Sequence, residues 1–250
     1  MKIVGIDLET SGLSPEKDRI IELSAVLWDW DTKTPLRMIS EIIDPSYDIE
    51  VNCFTVPQEI VEITGITDDM LRDYGEHEKD VLLRVAGFVG EGRGEYFMGH
   101  FCTEFDCLFF KAACERSRTE WMLDEKWLDT SVDIKYPPYI KTRNLRHLAS
   151  EHNFLNPFSH RAVFDVLTML NVASNYRIED IIARSLEPTV YVQAQVSYAE
   201  NQKAKDFQFR WNPEKKLWWK SMKQSDYEEE RDKYEFKPLL FDPGLFKMEG

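Results

Sequence analysis

Two acidic residues stand two positions apart where a short apolar segment near the start of the chain ends. The segment from Lys2 to Leu8 is typical of a buried strand, and Asp7 and Glu9 lie at its far end. Side chains two apart in a strand point to the same face, so the two carboxylates can converge on one point. Hard divalent cations such as Mg²⁺ prefer oxygen ligands. The pair predicts a metal site; taken alone, it would equally suit a solvated strand end.

Two further aspartates lie at the starts of predicted helices. Asp106 follows a predicted strand and precedes an apolar helical face, and Asp165 lies beside an apolar helical stripe in the segment HRAVFD. A buried carboxylate in such surroundings is costly unless it meets a cation or several hydrogen bonds. Both aspartates therefore need a partner, and a metal ion shared with the first pair would provide one.

A histidine precedes the last of these aspartates by five residues. In a helix this separation is about 500° of rotation, so His160 and Asp165 would not share a face. We therefore expect His160 in the loop before the helix, with Ser159 as the N-cap. An imidazole with an ordinary pKa of about 6.5 can accept a proton near pH 7, which suits a general base. The alternative is a lone surface histidine.

Three motifs in this order resemble the DEDD superfamily of DnaQ-like 3′-5′ exonucleases, of the DEDDh type that includes exonuclease X. They are DLETSGL from Asp7, GHFCTEFD up to Asp106 and HRAVFD from His160, and the resemblance covers about residues 1–176. It implies a ribonuclease-H-like fold, an α/β mixed sheet flanked by helices. It also implies four metal-binding carboxylates and a histidine base, namely Asp7, Glu9, Asp106, Asp165 and His160.

The same resemblance implies contacts with the terminal nucleotide by Thr10, Leu13 and Ile66. This chain departs from the family pattern at one position beside the site. The family usually has His-Asn where this chain has His100-Phe101. The four carboxylates are unaffected by that change. The shape or polarity next to them is altered.

The expected reaction is hydrolysis of phosphodiester bonds from the 3′ end of DNA, preferably single-stranded, with release of nucleoside 5′-monophosphates. Two Mg²⁺ or Mn²⁺ ions about 3.5 to 4 Å apart activate water and stabilise charge on the phosphoryl and leaving oxygens. An exoribonuclease or oligoribonuclease is an alternative, because these residues do not read the sugar. A proofreading subunit and a non-hydrolytic nucleic-acid-binding or DNA-mimic protein are further alternatives.

The surrounding pattern indicates the elements that position these residues. Two strands, Arg19 to Trp30 and Leu36 to Ile43, follow the first and predict an antiparallel meander. Strands then alternate with helices, which favours a mixed sheet covered on its faces. The later elements are expected as two short helices around Gly65, a helix over 78–92, a strand at 96–98, a helix over 104–116, a strand over 127–134, and helices over 144–152 and 161–174. The glycines at 90, 92 and 94 predict a loop.

The character of the chain changes near residue 185. We predict an exonuclease domain over 1–185 and a small α+β module over 186–250. Residues 201–223 hold seven Lys or Arg against two acids, interleaved with aromatic residues, a combination used to bind single strands. The pattern resembles short extensions of some phage and bacterial nucleases. Trp211, Lys215, Lys216 and Trp218 are the candidate contacts, and a small sheet with an aromatic core is the alternative.

Composition excludes several classes of protein. The 250 residues are 43% hydrophobic and 13% aromatic, which excludes global disorder and fibrous repeats, and they carry a net charge of −14. Four cysteines without a CxxC pair are expected as buried, reduced thiols. No apolar segment is long enough to cross a bilayer, so we expect a protein of the cytoplasm, or of the host cytoplasm for a phage protein. The expected partner is nucleic acid, with no membrane; the sequence shows no recognisable polymerase or homodimer contact.

Overall fold

A five-stranded sheet forms the centre of the first domain. The structure, a computed structural model, describes residues 1–48, 53–92, 96–119, 126–213 and 215–242. The strands are β1 (Lys2–Thr10), β2 (Ile20–Asp29), β3 (Thr34–Ile42), β4 (Tyr96–Gly99) and β5 (Trp127–Asp129), in the order β3-β2-β1-β4-β5. The first three form the predicted antiparallel meander, and β4 and β5 continue the sheet in parallel with β1. The predicted mixed sheet is confirmed.

Helices cover both faces of this sheet. The helices of this domain are α1 (Gln58–Thr64), α2 (Asp68–Tyr74), α3 (Glu78–Gly92), α4 (Asp106–Ser117), α5 (Leu145–Glu151), α6 (Ala162–Ala173) and α7 (Ile178–Ser185). One apolar cluster joins the sheet to α3 and α4, and another joins it to α5, α6 and α7. None of the described helices has the length and apolarity needed to span a membrane.

The central strand β1 contributes to both clusters because its side chains alternate. Val4, Ile6 and Leu8 pack towards α3 and α4, whereas Ile3 packs towards α6. Gly5 lies on the α6 face, where a Cβ atom would come within 2.7 Å of side chains of α6. Helix α6 therefore approaches β1 closely enough to bring its first turn beside the end of the strand.

The C-terminal module is a second, antiparallel sheet. Its elements are β6 (Thr189–Gln195), α8 (Asn201–Asp206), β7 (Arg210–Asn212), β8 (Leu217–Lys223), α9 (Gln224–Glu230) and β9 (Lys237–Phe241), with the strand order β7-β8-β6-β9. Aromatic rings fill its core: Phe207, Phe209, Tyr234 and Phe236 contact one another at centroid distances of 4.8 to 6.0 Å. Some of the aromatic residues of this segment therefore form its core, as expected for the alternative of a small sheet with an aromatic core.

Ion pairs connect this module to the first domain. Lys223 and Asp133 form a pair at 2.7 Å with both side chains about 95% buried. Arg184 of α7 pairs with Asp226 of α9 at 2.5 Å. Two further pairs, Lys135 with Glu229 and Arg210 with Glu104, each measure 2.7 Å. The module is therefore docked on the first domain by charges from both parts of the chain.

Several local predictions were wrong. Strand β5 ends at Asp129, because the Asp129 side chain accepts hydrogen bonds from Ser131 and turns the chain. Helices α7 and α9 and strand β9 were not predicted. Gly90 and Gly92 belong to α3 instead of a loop, and Gly94 lies outside the described residues. The four cysteines are free as predicted, but Cys53 is exposed.

Candidate active site

Asp7 and Glu9 follow Ile3 and Gly5 on the face of β1 that α6 covers. Their cross-strand neighbours on β2 are Ser24 opposite Asp7 and Glu22 opposite Glu9. The apolar half of this face packs in the core, and its other end carries only polar side chains. The predicted convergence of the two carboxylates on one face agrees with the period of the strand.

Asp106 is the first residue of α4, beside the end of β1. Its side chain is 3% exposed, and its Oδ1 atom has no hydrogen-bond partner among the described residues. Its neighbours on α4, Phe109 and Phe110, are buried in the core. The helix start thus places a carboxylate in an apolar pocket, where the partial positive charge of a helix N-terminus favours it.

Asp165 lies in the first turn of α6 and binds two residues of the segment before this helix. Its Oδ2 accepts a hydrogen bond from the backbone N–H of His160 at 2.8 Å, and its Oδ1 accepts one from the Asn156 side chain at 2.6 Å. Tight packing of α6 against Gly5 fixes this turn relative to β1. The carboxylate therefore faces Glu9 across a narrow gap.

A fifth carboxylate, Glu22 of β2, was missed by the sequence analysis. Its side chain is 1% exposed and pairs with Arg161 at 2.8 Å. It also accepts the backbone N–H of Ala162 at 2.9 Å, so it replaces the missing side-chain cap of α6. No local signal could identify it, because Glu22 lies within an apolar strand and its partners are about 140 residues away.

His160 lies in the loop before α6, as predicted. One imidazole nitrogen and one oxygen each from Glu9 and Asp165 all lie within 4.8 Å of one another. The residue is exposed and has φ of +64°, a conformation uncommon for a residue with a side chain. The predicted N-cap at Ser159 was wrong: the N-cap is Arg161, and Glu22 accepts the backbone N–H of Ala162, the first residue of the helix.

Burial and mutual repulsion shift the carboxyl groups of this cluster. Burial, followed by the charge of Asp165, raises the pKa of Glu9 to about 8. Burial, followed by the charge of Asp106, raises the pKa of Asp7 well above its ordinary value. The pKa of Asp106 is raised to about 7, first by burial. Burial and repulsion thus favour the protonated forms of these carboxyl groups, and a counter-charge would favour the ionised forms.

The residues present fit divalent metal ions. The four carboxylates Asp7, Glu9, Asp106 and Asp165 offer only oxygen, the donor that Mg²⁺ and Mn²⁺ prefer. Asp106 presents a buried oxygen that nothing in the described chain satisfies. A divalent cation would satisfy that oxygen and offset the repulsion that raises the pKa values.

The predicted nucleotide-contacting residues have different environments. Leu13 is 85% exposed in the loop after β1, and the Thr10 hydroxyl donates a hydrogen bond to the Gly12 carbonyl in the same loop at 2.6 Å. Ile66, in contrast, is fully buried in a small cluster with Ile21 and Leu71. Its side chain presents no surface to a base, so in this structure its role is packing beneath the loop.

An open groove of about 980 Å³ runs beside the site. The end of α1 and the segment between α5 and α6 form its walls, with Asn156 and Ser159 next to the carboxylates and Arg146 further along. Exposed apolar side chains line it, including Ile63, which is 52% exposed, and Phe158, which is 57% exposed. The groove combines apolar surface with two arginines, Arg146 and Arg161, which suits a nucleotide chain.

The candidate contacts of the C-terminal module lie in two different environments. Trp211 is 47% exposed at the β7–β8 hairpin, where Lys215 and Lys216 are also exposed. Trp218 lies 5.6 Å from Trp211 between ring centroids and packs against the core of the module, with Lys205 above its ring at 5.7 Å. One face of the hairpin is therefore available to a ligand, and Trp218 supports it from below.

Comparison with known proteins identifies the family of the first domain. The exonuclease family RNase_T matches residues 4–173, and the domain of unknown function DUF8626 matches residues 190–237. The chain is a DnaQ-like member of the DEDD exonuclease superfamily. More narrowly, it belongs to the RNase_T exonuclease family, whose match begins at β1 and ends with α6.

Individual relatives share the exonuclease part. The chain is 30% identical over 165 residues to the PolC-type DNA polymerase III of Pediococcus pentosaceus and 31% identical over 166 residues to that of Staphylococcus haemolyticus. These matches cover 66% and 65% of the chain, which spans about a tenth of each polymerase.

Solved structures share the fold. A zinc-bound complex of E. coli ExoI with single-stranded DNA aligns with a TM-score of 0.61 at 18% identity, over 82% of this chain and 50% of that one. The nuclease domain of 3′hExo, a DEDDh family member bound to rAMP, aligns with a TM-score of 0.57 at 18% identity, over 70% of this chain and 90% of that one. The ribonuclease-H-like fold is confirmed.

The raised carboxyl pKa values predict an unusual pH dependence for the metal-free protein. Between the ordinary carboxyl pKa of about 4 and the raised values near 7 and 8, the folded chain binds more protons than the unfolded chain. Stability in chelator should therefore fall as pH rises through this window. Mg²⁺ or Mn²⁺ should restore it at the alkaline end.

The measurement is a series of thermal unfolding curves from about pH 5 to pH 9, with chelator and with metal. Asp106→Asn should flatten the decline in chelator, because it removes one of the groups responsible. Asp69→Asn, an exposed acid of α2, is the matched control and should behave as wild type. A metal-free protein that becomes more stable over this range would contradict the analysis.

Proposed function

We propose that this chain is a metal-dependent 3′-5′ exonuclease acting on DNA, preferably single-stranded. The observation that carries the proposal is a cluster of acidic side chains from three different elements: oxygens of Glu9 and Asp165 lie within 4.8 Å of each other and of a His160 nitrogen, and the charges of Asp106, Glu9 and Asp165 all raise the pKa of Asp7. Membership of an exonuclease family supports it. Exoribonuclease activity remains the alternative, because no residue of the cluster distinguishes the two sugars.

The residues divide the work of hydrolysis. The four carboxylates would hold two divalent ions, Mg²⁺ or Mn²⁺. When bound, these ions would supply an activated water and stabilise charge on the phosphoryl and leaving 3′ oxygens. His160, in the loop beside Glu9 and Asp165, would act as the base that accepts a proton from the attacking water. Asp165 holds the loop through the His160 N–H.

The groove and the adjoining loop bind the end of the strand. Leu13 and Thr10 flank the terminal nucleotide after β1, and the apolar wall with Phe158 contacts the nucleotides behind it. The open shape of the groove admits an unpaired strand. We place the boundary between the catalytic part and the C-terminal module near residue 185, in the interval between the two matched families.

The central experiment is digestion of 3′-labelled and 5′-labelled single-stranded DNA, duplex DNA and RNA, with Mg²⁺, Mn²⁺ or chelator. Asp7→Asn and Asp165→Asn should each reduce hydrolysis to background, because each removes a metal-binding charge. Both variants should stay folded, since losing a carboxylate relieves repulsion in the cluster. Shortening of 5′-labelled strands stepwise from the far end indicates 3′-5′ polarity. Metal-dependent turnover retained in both variants would refute the assignment.

His160→Ala should slow the chemical step by about 10² to 10⁴-fold, the usual contribution of a general base. Single-turnover rates measure the loss, and calorimetric titration should give nearly unchanged metal affinity. His147→Ala on α5 is a matched control that removes a partly exposed imidazole, and it should retain full activity. A large loss of metal affinity in His160→Ala would instead make the imidazole a ligand, contrary to the proposed role.

The β7–β8 hairpin is proposed to bind single-stranded nucleic acid away from the site. Trp211 provides a stacking surface with Trp218 beneath it, and Lys215 and Lys216 lie near the phosphates of a bound strand. Stacking on an aromatic residue contributes about 1 to 3 kcal/mol per base. The four-carboxylate site contacts only the terminal nucleotides, so the hairpin matters for long strands.

Trp211→Ala should weaken binding to a long single strand by about 5-fold to 150-fold, the loss of one stacked base. Lys215→Ala with Lys216→Ala should make the salt dependence of binding shallower, because fewer phosphates are neutralised. Turnover of a dinucleotide should be unchanged in both. Lys203→Ala, whose charge is paired within the module, is the control. Equal losses on the dinucleotide and the long strand would show that the hairpin is structural only.

A further inference from the structure

The loop of residues 100–105 decides where Asp106 lies. It connects β4 to α4, and its last residue, Phe105, is the helix N-cap without a side-chain cap hydrogen bond. Within the loop, the Cys107 N–H donates to the Cys102 carbonyl at 2.9 Å. The start of α4, and with it the Asp106 carboxylate, therefore depends on how this loop is held.

Asp129, at the end of β5, holds the loop from the inside. This aspartate is 1% exposed and accepts hydrogen bonds from the Phe101 N–H at 3.0 Å, the Thr103 N–H at 3.2 Å and the Thr103 hydroxyl at 2.9 Å. The loop thus has an acidic anchor on the side of the exonuclease domain.

Arg210, from β7 of the C-terminal module, holds the same loop from the outside. Its guanidinium pairs with Glu104 at 2.7 Å and lies over the Phe101 ring at 5.4 Å. On its other side it lies over the Trp219 ring at 4.5 Å. A planar guanidinium can stack and pair in this way, whereas a lysine ammonium cannot stack.

Phe101 is the residue at which this chain departs from the usual His-Asn of the family. It has φ of +59°, a conformation that is costly for a bulky side chain and easier for Asn. The contact with Arg210 gives the ring a partner at this position. The departure therefore coincides with the point where the module contacts the catalytic domain.

A second, buried connection joins the module to the loop. The Lys223 ammonium pairs with one oxygen of Asp133, and the other oxygen accepts the Asp129 N–H at 2.7 Å. Asp129 in turn binds Phe101 and Thr103. The module thus contacts the loop directly through Arg210 and indirectly through Lys223.

We propose that Arg210 is a positioning residue that fixes the 100–105 loop and thereby holds Asp106 in place for metal binding. The C-terminal module is then a structural part of the active site in addition to any contact it makes with a nucleic-acid strand. This inference rests on the proposed role of Asp106 as a metal ligand. It goes beyond that role, because it assigns the module an effect on a substrate too short to reach the hairpin.

The test compares Arg210→Ala with wild type in the full chain. Calorimetric titration with Mn²⁺, in the absence of nucleic acid, should show a loss of affinity of about 10-fold to 100-fold, as for other partners that orient a metal ligand. Amide exchange should become faster in residues 100–107. On a dinucleotide, kcat should fall with little change in KM. Arg210→Lys should recover only part of the loss.

Two further variants separate positioning from general loosening. Lys135→Ala breaks another ion pair between the module and the domain without touching the loop, and it should bind Mn²⁺ as wild type does. Glu104→Gln removes the charge that pairs with Arg210 and leaves the Phe101 ring in place, so it should lower Mn²⁺ affinity and speed exchange in the loop even if Arg210→Ala folds poorly.

Wild-type Mn²⁺ affinity and exchange rates in Glu104→Gln and Arg210→Ala would overturn the proposal, as would an equal loss in Lys135→Ala. Failure of the proposed function is distinguishable. A wild-type protein that binds Mn²⁺ but digests no nucleic acid would contradict the exonuclease assignment, while the titration and exchange results would still decide the role of Arg210.

Discussion

The main constraint on this structure is electrostatic: the fold must hold several carboxylates close together, partly out of water, at one edge of a sheet. Asp7, Glu9, Asp106 and Asp165 repel one another, and burial raises the pKa of each. Two features of the fold reduce this cost before any cation arrives. Asp106 and Asp165 lie at the N-terminal ends of α4 and α6, where helix dipoles favour negative charge, and Arg161 lies close enough to lower the pKa of Glu9.

Packing in the core holds these carboxylates close together against their repulsion. Gly5 lets α6 approach β1, so that Asp165 faces the end of the strand. Glu22 binds Arg161 and the first N–H of α6, which fixes the other side of the same helix start. A cluster that repels itself needs rigid supports on every side, and the packing around the helix start supplies them.

Local patterns in the sequence predicted those parts of the site that obey local rules. The period of a strand places Asp7 and Glu9 on one face, and apolar helical stripes reveal buried aspartates at helix starts. The sequence analysis did not identify Glu22, because its role comes from the pairing of two strands and from a contact with α6. The nucleotide contact of Ile66 stays a prediction, because a resemblance assigns a position but does not say whether the side chain faces the groove or the core, and in this structure Ile66 is buried.

The number of basic residues in the C-terminal segment does not show which of them are available to a ligand, for a related reason. Arg210 and Lys223 add to a local basic excess, yet each pairs with an acid about 90 or more residues earlier in the chain. Those charges bind the module to its own domain, which leaves Lys215 and Lys216 exposed at the hairpin.

The net charge of −14 has a consequence for how such a site admits its substrate. A phosphodiester that approaches a cluster of ionised carboxylates meets repulsion, and a protonated cluster provides neither a metal site nor a charge to activate water. Bound divalent cations change the sign of the local field, so that a phosphate is attracted where it would otherwise be repelled. Substrate affinity and catalysis therefore depend on the same cations. In this acidic chain, a few exposed cations away from the centre can attract the strand without neutralising the carboxylates on which hydrolysis depends.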